Sequence, residues 1–228
     1  MSQTMPPQDK RRSLIQALAT AGVLGPAGIC GLISEALAEG NKPIAPGMHK
    51  IVGTVTVNGQ PAREGQLIRN GDTIVTGVKS EAIYVIGQDA YMQREKSTIN
   101  FAAEAAADVM RVITGKILSV FGKGDKKLVV PTATIGIRGT GCYIEAEAKT
   151  TYFCLCYGAA EVSPTADPKL TERIETKHHD HPILIHNDSA MPMMAPASVI
   201  NHTDAELILL ENLVGRWPPF YGKTYYGY

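Results

Sequence analysis

The stretch "CYIEAEAKTTYFCLCYG", residues 142–158, holds three of the chain's four cysteines, and the rest of the chain is read outward from it. Its two arms are rich in β-branched and aromatic residues, and its middle is polar, so it predicts a β-hairpin turning near residues 148–151. Side chains of a strand alternate between faces, which places Cys154 and Cys156 on the same one. With a turn symmetric about Lys149, Cys142 falls opposite Cys156 and all three thiols line one face. A slip of one residue moves Cys142 to the other side.

The segments before the hairpin have the same character. "IVGTVTVNG" (51–59) alternates and stops at Asn58-Gly59, a tight-turn dipeptide. Further turns are expected at Asn70-Gly71-Asp72 and Gly77, and "EAIYVIG", "STINF", "GKILSVFG", "KLVVPTATIGIRGTG" and "CYIEAEA" follow as short strands ended by turn residues. Such spacing predicts an all-β sandwich, roll or solenoid. "AAEAAADVM" (102–110) is the exception, since its helix formers fit a helical turn or a long loop equally well.

These segments resemble a known family. Gly53-x-Val55-x-Val57-Asn58-Gly59, Gly65, and Gly71-Asp72-x-Ile74-x-Thr76-Gly77-x-x-Ser80-x-Ala82 are similar to the opening of a FecR-family domain. Gly115-Lys116-Ile117, Pro131-Thr132-Ala133, Arg138-Gly139-Thr140 and Gly158-x-x-Glu161-Val162 follow in the order of its closing half. The resemblance implies an all-β, solenoid-like extracytoplasmic module that binds or senses rather than catalyses. In that family the domain often forms the outer part of sensors relaying signals from TonB-dependent receptors to a sigma factor. Two departures set this chain apart: only ten residues precede Arg11, and Gly141-Cys142 follow Arg138-Gly139-Thr140 where the family more often has an acidic or apolar residue and then an aromatic one. The resemblance therefore implies the fold but not a transmembrane relay.

The N-terminus predicts the compartment. Lys10, Arg11 and Arg12 precede "SLIQ" and the mild apolar run "ALATAGVLGPAGICGLI", which resembles a twin-arginine export signal ending at Ala36-Leu37-Ala38. Residues 1–38 are then a signal peptide handled by the twin-arginine translocase, with cleavage between Ala38 and Glu39. Residues 39–50 are a linker, 51–163 the β domain, and 164–228 an irregular Pro-, His- and Met-rich extension with one helix near 204–214. Thr203 and Glu206 supply that helix with a capping box, and Gly215 with a stop. An uncleaved signal anchor is the alternative at the N-terminus. The mature chain has no further apolar span, so it is expected in the periplasm or secreted. Lys plus Arg and Asp plus Glu both number 22, which gives no basic field for nucleic acid.

Thiols tend to oxidise in that compartment unless something holds them. Cys142, Cys154 and Cys156, with His179 or His181 from "KHHDHP", offer three thiolates and an imidazole to a zinc, copper or iron ion. Pro182 fixes the chain direction just after those two histidines. Two other readings stand beside this one: a Cys142–Cys156 disulfide stapling the hairpin, and inert thiols packed as small hydrophobes. "GIRGTG" (136–141) is followed by a strand and so lacks the helix N-terminus of a phosphate loop. H-E-x-x-H and G-x-S-x-G are absent, so the main reading is a non-enzymatic module whose partner is an envelope protein or ligand. A metal-dependent redox or hydrolytic protein is the alternative, and a structural envelope protein the third.

Overall fold

Asn58 and Gly59 both adopt positive φ, 53° and 76°, which is the geometry their dipeptide predicts for a tight hairpin turn. They join β2 (Val55–Val57) to β3 (Gln60–Pro61). The computed structural model describes residues 41–104 and 107–223. The signal segment, with Arg11, Arg12 and the Ala38/Glu39 cleavage point, lies outside the described residues. No described helix is long and apolar enough to cross a membrane.

The strands form one open sheet. β1 (Gly47–Val52) begins inside the segment expected to be linker and pairs with β5 (Glu81–Ile86). β4 (Thr73–Thr76) lies between β2 and β7 (Thr98–Glu104), and β6 (Asp89–Gln93) between β5 and β8 (Ala107–Val120). β9 (Asp125–Val130) follows, then β10 (Ala133–Ala146) and β11 (Thr150–Pro164), which form the hairpin. The extension is less irregular than its composition predicts. Within it, β12 (Glu172–Thr176) and β13 (Ile183–His186) both pair with β11, and β14 (Met194–Pro196) pairs with β13.

Three strands are long, where short ones were expected: β8, β10 and β11 have 14, 14 and 15 residues. Their glycines read as strand ends, but the strands pass through them. Gly115 has φ +95°, and a Cβ there would lie 2.4 Å from Ser97 Cα, so only glycine lets β8 run past that bend. The described parts of the alanine-rich segment, residues 102–104 and 107–110, are also extended, with Glu104 paired to Ala107. Pairing between β7 and β8 overrides the helix propensity of alanine there.

The long strands separate two apolar cores. On one face Tyr84, Phe101, Ile117, Ile135, Ile144, Phe153 and Leu155 pack together. The other face carries Ile83, Met92, Leu118, Tyr143, Cys154 and Cys156, and is covered by α1 (Asp204–Leu213). Residues 205–213 of this helix are all buried, so its position depends on the sheet beneath and on Trp217 and Phe220 beyond it. Its capping box forms as expected: Thr203 Oγ1 accepts from Glu206 N at 3.4 Å, and Glu206 Oε2 accepts from Thr203 N at 2.9 Å. Thr203→Ala removes one of these bonds and should lower stability by about 1 kcal/mol. A urea midpoint equal to wild type would show that the cap oxygen contributes nothing.

Candidate metal centre

Glu147 N donates to Thr150 O at 2.9 Å, so the hairpin turns through only two residues, Ala148 and Lys149. The pairing is therefore one residue off the symmetric register: Ala146 faces Thr151, and Cys142 faces Leu155 rather than Cys156. Cys142 is thereby sent to the first core, beside Ile144 and Leu155. Cys154, opposite Tyr143, stays with Cys156 on the face under the helix. A second irregularity follows. Gly141 pairs with Tyr157 and Cys142 with Leu155, so Cys156 has no partner across the hairpin and forms a bulge. Gly141 permits this, because a Cβ there would meet the Tyr157 ring at 2.5 Å. None of the three cysteines is in a disulfide, and the Cys142–Cys156 staple does not form.

Two histidines complete the group. Cys154, Cys156, His179 and His202 each offer a ligand atom, and those atoms lie within 4.8 Å of one another with every residue buried. Cys154 Sγ is 3.4 Å from His179 Nδ1, and His202 Nε2 is 3.0 Å from the same nitrogen. His181, two residues on, is exposed and takes no part. His202 was not among the candidates read from the sequence. It comes from the residue before the helix cap and reaches the sheet because α1 docks there. Its signal was its position in "NHTDAE", next to a well-defined helix start.

The surrounding shell fixes how both rings face. His202 Nδ1 lies 2.6 Å from the Ile200 carbonyl oxygen, which only accepts, so this nitrogen carries the proton. His179 Nε2 lies 3.2 Å from Asp204 Oδ1 and donates to it. His178 Nε2 holds the same carboxylate at 2.9 Å. The two nitrogens left facing one another are both lone-pair atoms in neutral imidazole, and they need a cation or a proton between them. His179 also sits at φ +54°, in a conformation a non-glycine residue adopts only when its surroundings fix it. Its backbone N–H donates to the Cys156 carbonyl at 3.0 Å, so the bulge and this turn hold each other.

The electrostatics agree with this arrangement. Hydrogen bonding from Cys156, then from His179 and His202, outweighs burial and holds Cys154 well down, at about 3. Burial lowers His179, but hydrogen bonds to Asp204 and Cys154 more than offset it and raise the ring to about 9. Without a metal, then, the centre holds a thiolate beside an imidazolium. Burial keeps Cys142 and Cys156 protonated. A cavity of about 350 Å³ borders His179, His202, Thr203 and Asp204. Cys154 itself is 0% exposed.

No family model matches the sequence, and no curated protein matches it. Two crystal structures of a candidate anti-sigma factor from Parabacteroides distasonis are similar to it at 10% identity, with a TM-score of 0.46. Each match covers 55% of this chain and 58% of that one, a little over half of both.

Proposed function

We propose that the chain is an exported, non-enzymatic binding or sensing module of FecR-like type, in the periplasm or secreted, and that Cys154, Cys156, His179 and His202 hold one transition-metal ion in it. The reading rests on one observation above all: four atoms able to ligate a metal once deprotonated converge in a buried site, while the second nitrogen of each imidazole is committed to an acceptor. A carboxylate or carbonyl on the far nitrogen is the usual outer partner of a metal-ligating histidine. Two thiolates and two imidazoles suit zinc first, ahead of copper or iron. Tetrahedral zinc, with bonds of about 2.3 Å to sulfur and about 2.0 Å to nitrogen, would place its ligand atoms roughly 3.3–3.8 Å apart. Export by the twin-arginine translocase would fit, since the N-terminal segment resembles the signal of that route, and the resemblance implies carriage of proteins already folded around a cofactor. An envelope protein or a small ligand would be the partner.

A hydrolytic reading has one observation in its favour. Cys154 Sγ, the His179 ring and the Asp204 carboxylate are linked in space one after another, the arrangement of a nucleophilic relay. The thiol is fully buried, however, and no substrate carbonyl can approach it. Four protein ligands also leave a metal no open position for a substrate.

The test is the metal content of the mature chain after loading with zinc and desalting. About one ion per chain is expected, with loss in Cys154→Ser and in His202→Ala and retention in Cys142→Ser. Protein that stays metal-free, or a Cys142→Ser variant that loses its metal, would overturn the assignment.

A further inference from the structure

Bordered by Tyr143 and Asn201, beside the candidate metal centre, lies a larger cavity of about 550 Å³. Its lining includes Lys79, Glu81, Arg94, Lys116, Tyr143 and Asn201. Arg94 is committed along one edge, where Nη2 donates to Glu206 Oε1 at 2.9 Å and to the Asn201 carbonyl at 2.9 Å. Its Nε is buried with no hydrogen-bond partner among the described residues, and so is Oε1 of Glu81. Folded proteins seldom leave such atoms unmatched. One is a donor only and the other, when ionised, an acceptor only. Burial lifts Glu81 to about 7, with Arg94 pulling it down only in part and Glu206 adding to the rise. The carboxylate is thus under-compensated where it stands. Two lining residues, Lys79 and Asn201, adopt positive φ, 52° and 55°. Backbone strain of this kind clusters at ligand sites.

We propose that this cavity binds a small zwitterion the size of an amino acid or dipeptide, its carboxylate on the cavity side of the Arg94 guanidinium and on Lys116, whose Nζ otherwise has Glu145 Oε2 at 3.7 Å, its ammonium on Glu81. A simple anion would leave Glu81 uncompensated, and a simple cation would meet Arg94. The proposal rests on the binding-module reading above and names the ligand class for it. The cavity also adjoins the metal centre. Tyr143, in its wall, stacks on His202 with ring centroids 4.6 Å apart and an interplanar angle of 21°. Asn201 directly precedes His202, and Arg94 holds Glu206 of the helix cap. Ligand and metal therefore order the same short segment, and each should favour binding of the other to the same degree.

The test is titration calorimetry of the zinc-loaded mature chain with L-alanine and L-alanyl-L-alanine, with acetate and ethylammonium as single-charge probes. At least one zwitterion is expected to bind at least tenfold more tightly than either single-charge probe. Glu81→Gln should weaken that binding at least tenfold with metal content unchanged, and removing the metal should weaken it measurably. Absence of heat with both zwitterions overturns the proposal, as does a Glu81→Gln variant that binds them unchanged. Acetate binding as tightly as the zwitterions would make this an anion site and equally overturn it. Metal content is read separately in every sample, so failure at this cavity is distinguishable from failure at the Cys/His centre.

Discussion

Adding a strong chelator to the metal-loaded chain is expected to lower its melting temperature by about 10 °C. The figure follows from mass action. Metal at about a thousand times its dissociation constant contributes roughly 4 kcal/mol to the folded state, and for a chain of this size each kcal/mol moves the midpoint by roughly 2–4 °C. The loss should be uneven. Cys154 and Cys156 belong to the hairpin, while His179 lies after β12 and His202 before α1. The metal would therefore tie the C-terminal segment to the sheet, and that segment should loosen first. The first core contains none of the four ligands, so the strand signal in circular dichroism should persist below the new midpoint. Thiol reactivity gives an independent readout. Two thiols should react with a disulfide reagent after chelation and before unfolding, and the third, Cys142, only on unfolding. A melting temperature unmoved by chelator, in protein shown to carry metal, would mean that the centre does not link the two parts.

The centre was half legible in the sequence, and what decided each part was the range of the interaction. Cys154 and Cys156 share a face because of the two-residue period of a single strand, which is local. The capping box at Thr203 is equally local, and the helix starts where it predicts. Cys142 was placed on the wrong face because its position depends on the register of two strands. That register was set by a two-residue turn at Ala148-Lys149 and a bulge at Cys156, and a slip of one residue inverts every side chain. The glycines at 115 and 141 read as strand ends because their cost inside a strand is plain in sequence, while the bulges that accommodate them are a property of pairing. His202 could not be found by spacing. It lies 46 residues from Cys156 and meets it only because an apolar helix packs onto the same face of the sheet. His181 shows the converse, a histidine inside the right cluster that the turn at His179 directs to solvent.

Arg216→Ala should destabilise the protein by about 3 kcal/mol at neutral pH, with a loss that shrinks as the solution is acidified. Glu211 lies on α1 with its side chain only 4% exposed, and Arg216 Nε donates to its Oε2 at 2.5 Å. Its other oxygen accepts from the Tyr157 hydroxyl, next to the bulged Cys156. Arg216 also donates through Nη1 to the Gln88 carbonyl at 2.7 Å, joining the end of the helix to the turn between β5 and β6. Removing the guanidinium leaves a buried carboxylate without its cation, which costs more than the pair contributed. Burial already raises Glu211, with Tyr157 and Arg216 pulling the other way, so loss of Arg216 raises it further. The sign then follows from linkage. A carboxyl whose pKa is higher folded than unfolded destabilises the protein while ionised, and that penalty disappears as pH falls below the unfolded value. The gap between variant and wild type should therefore be widest at neutral and alkaline pH and narrow towards pH 4.5. Adding Glu211→Gln should recover part of the loss at pH 7, since the amide carries no charge and can still meet Tyr157. A penalty independent of pH, or a double variant no more stable than Arg216→Ala alone, would assign the effect to lost packing of the arginine stem instead of the stranded carboxylate.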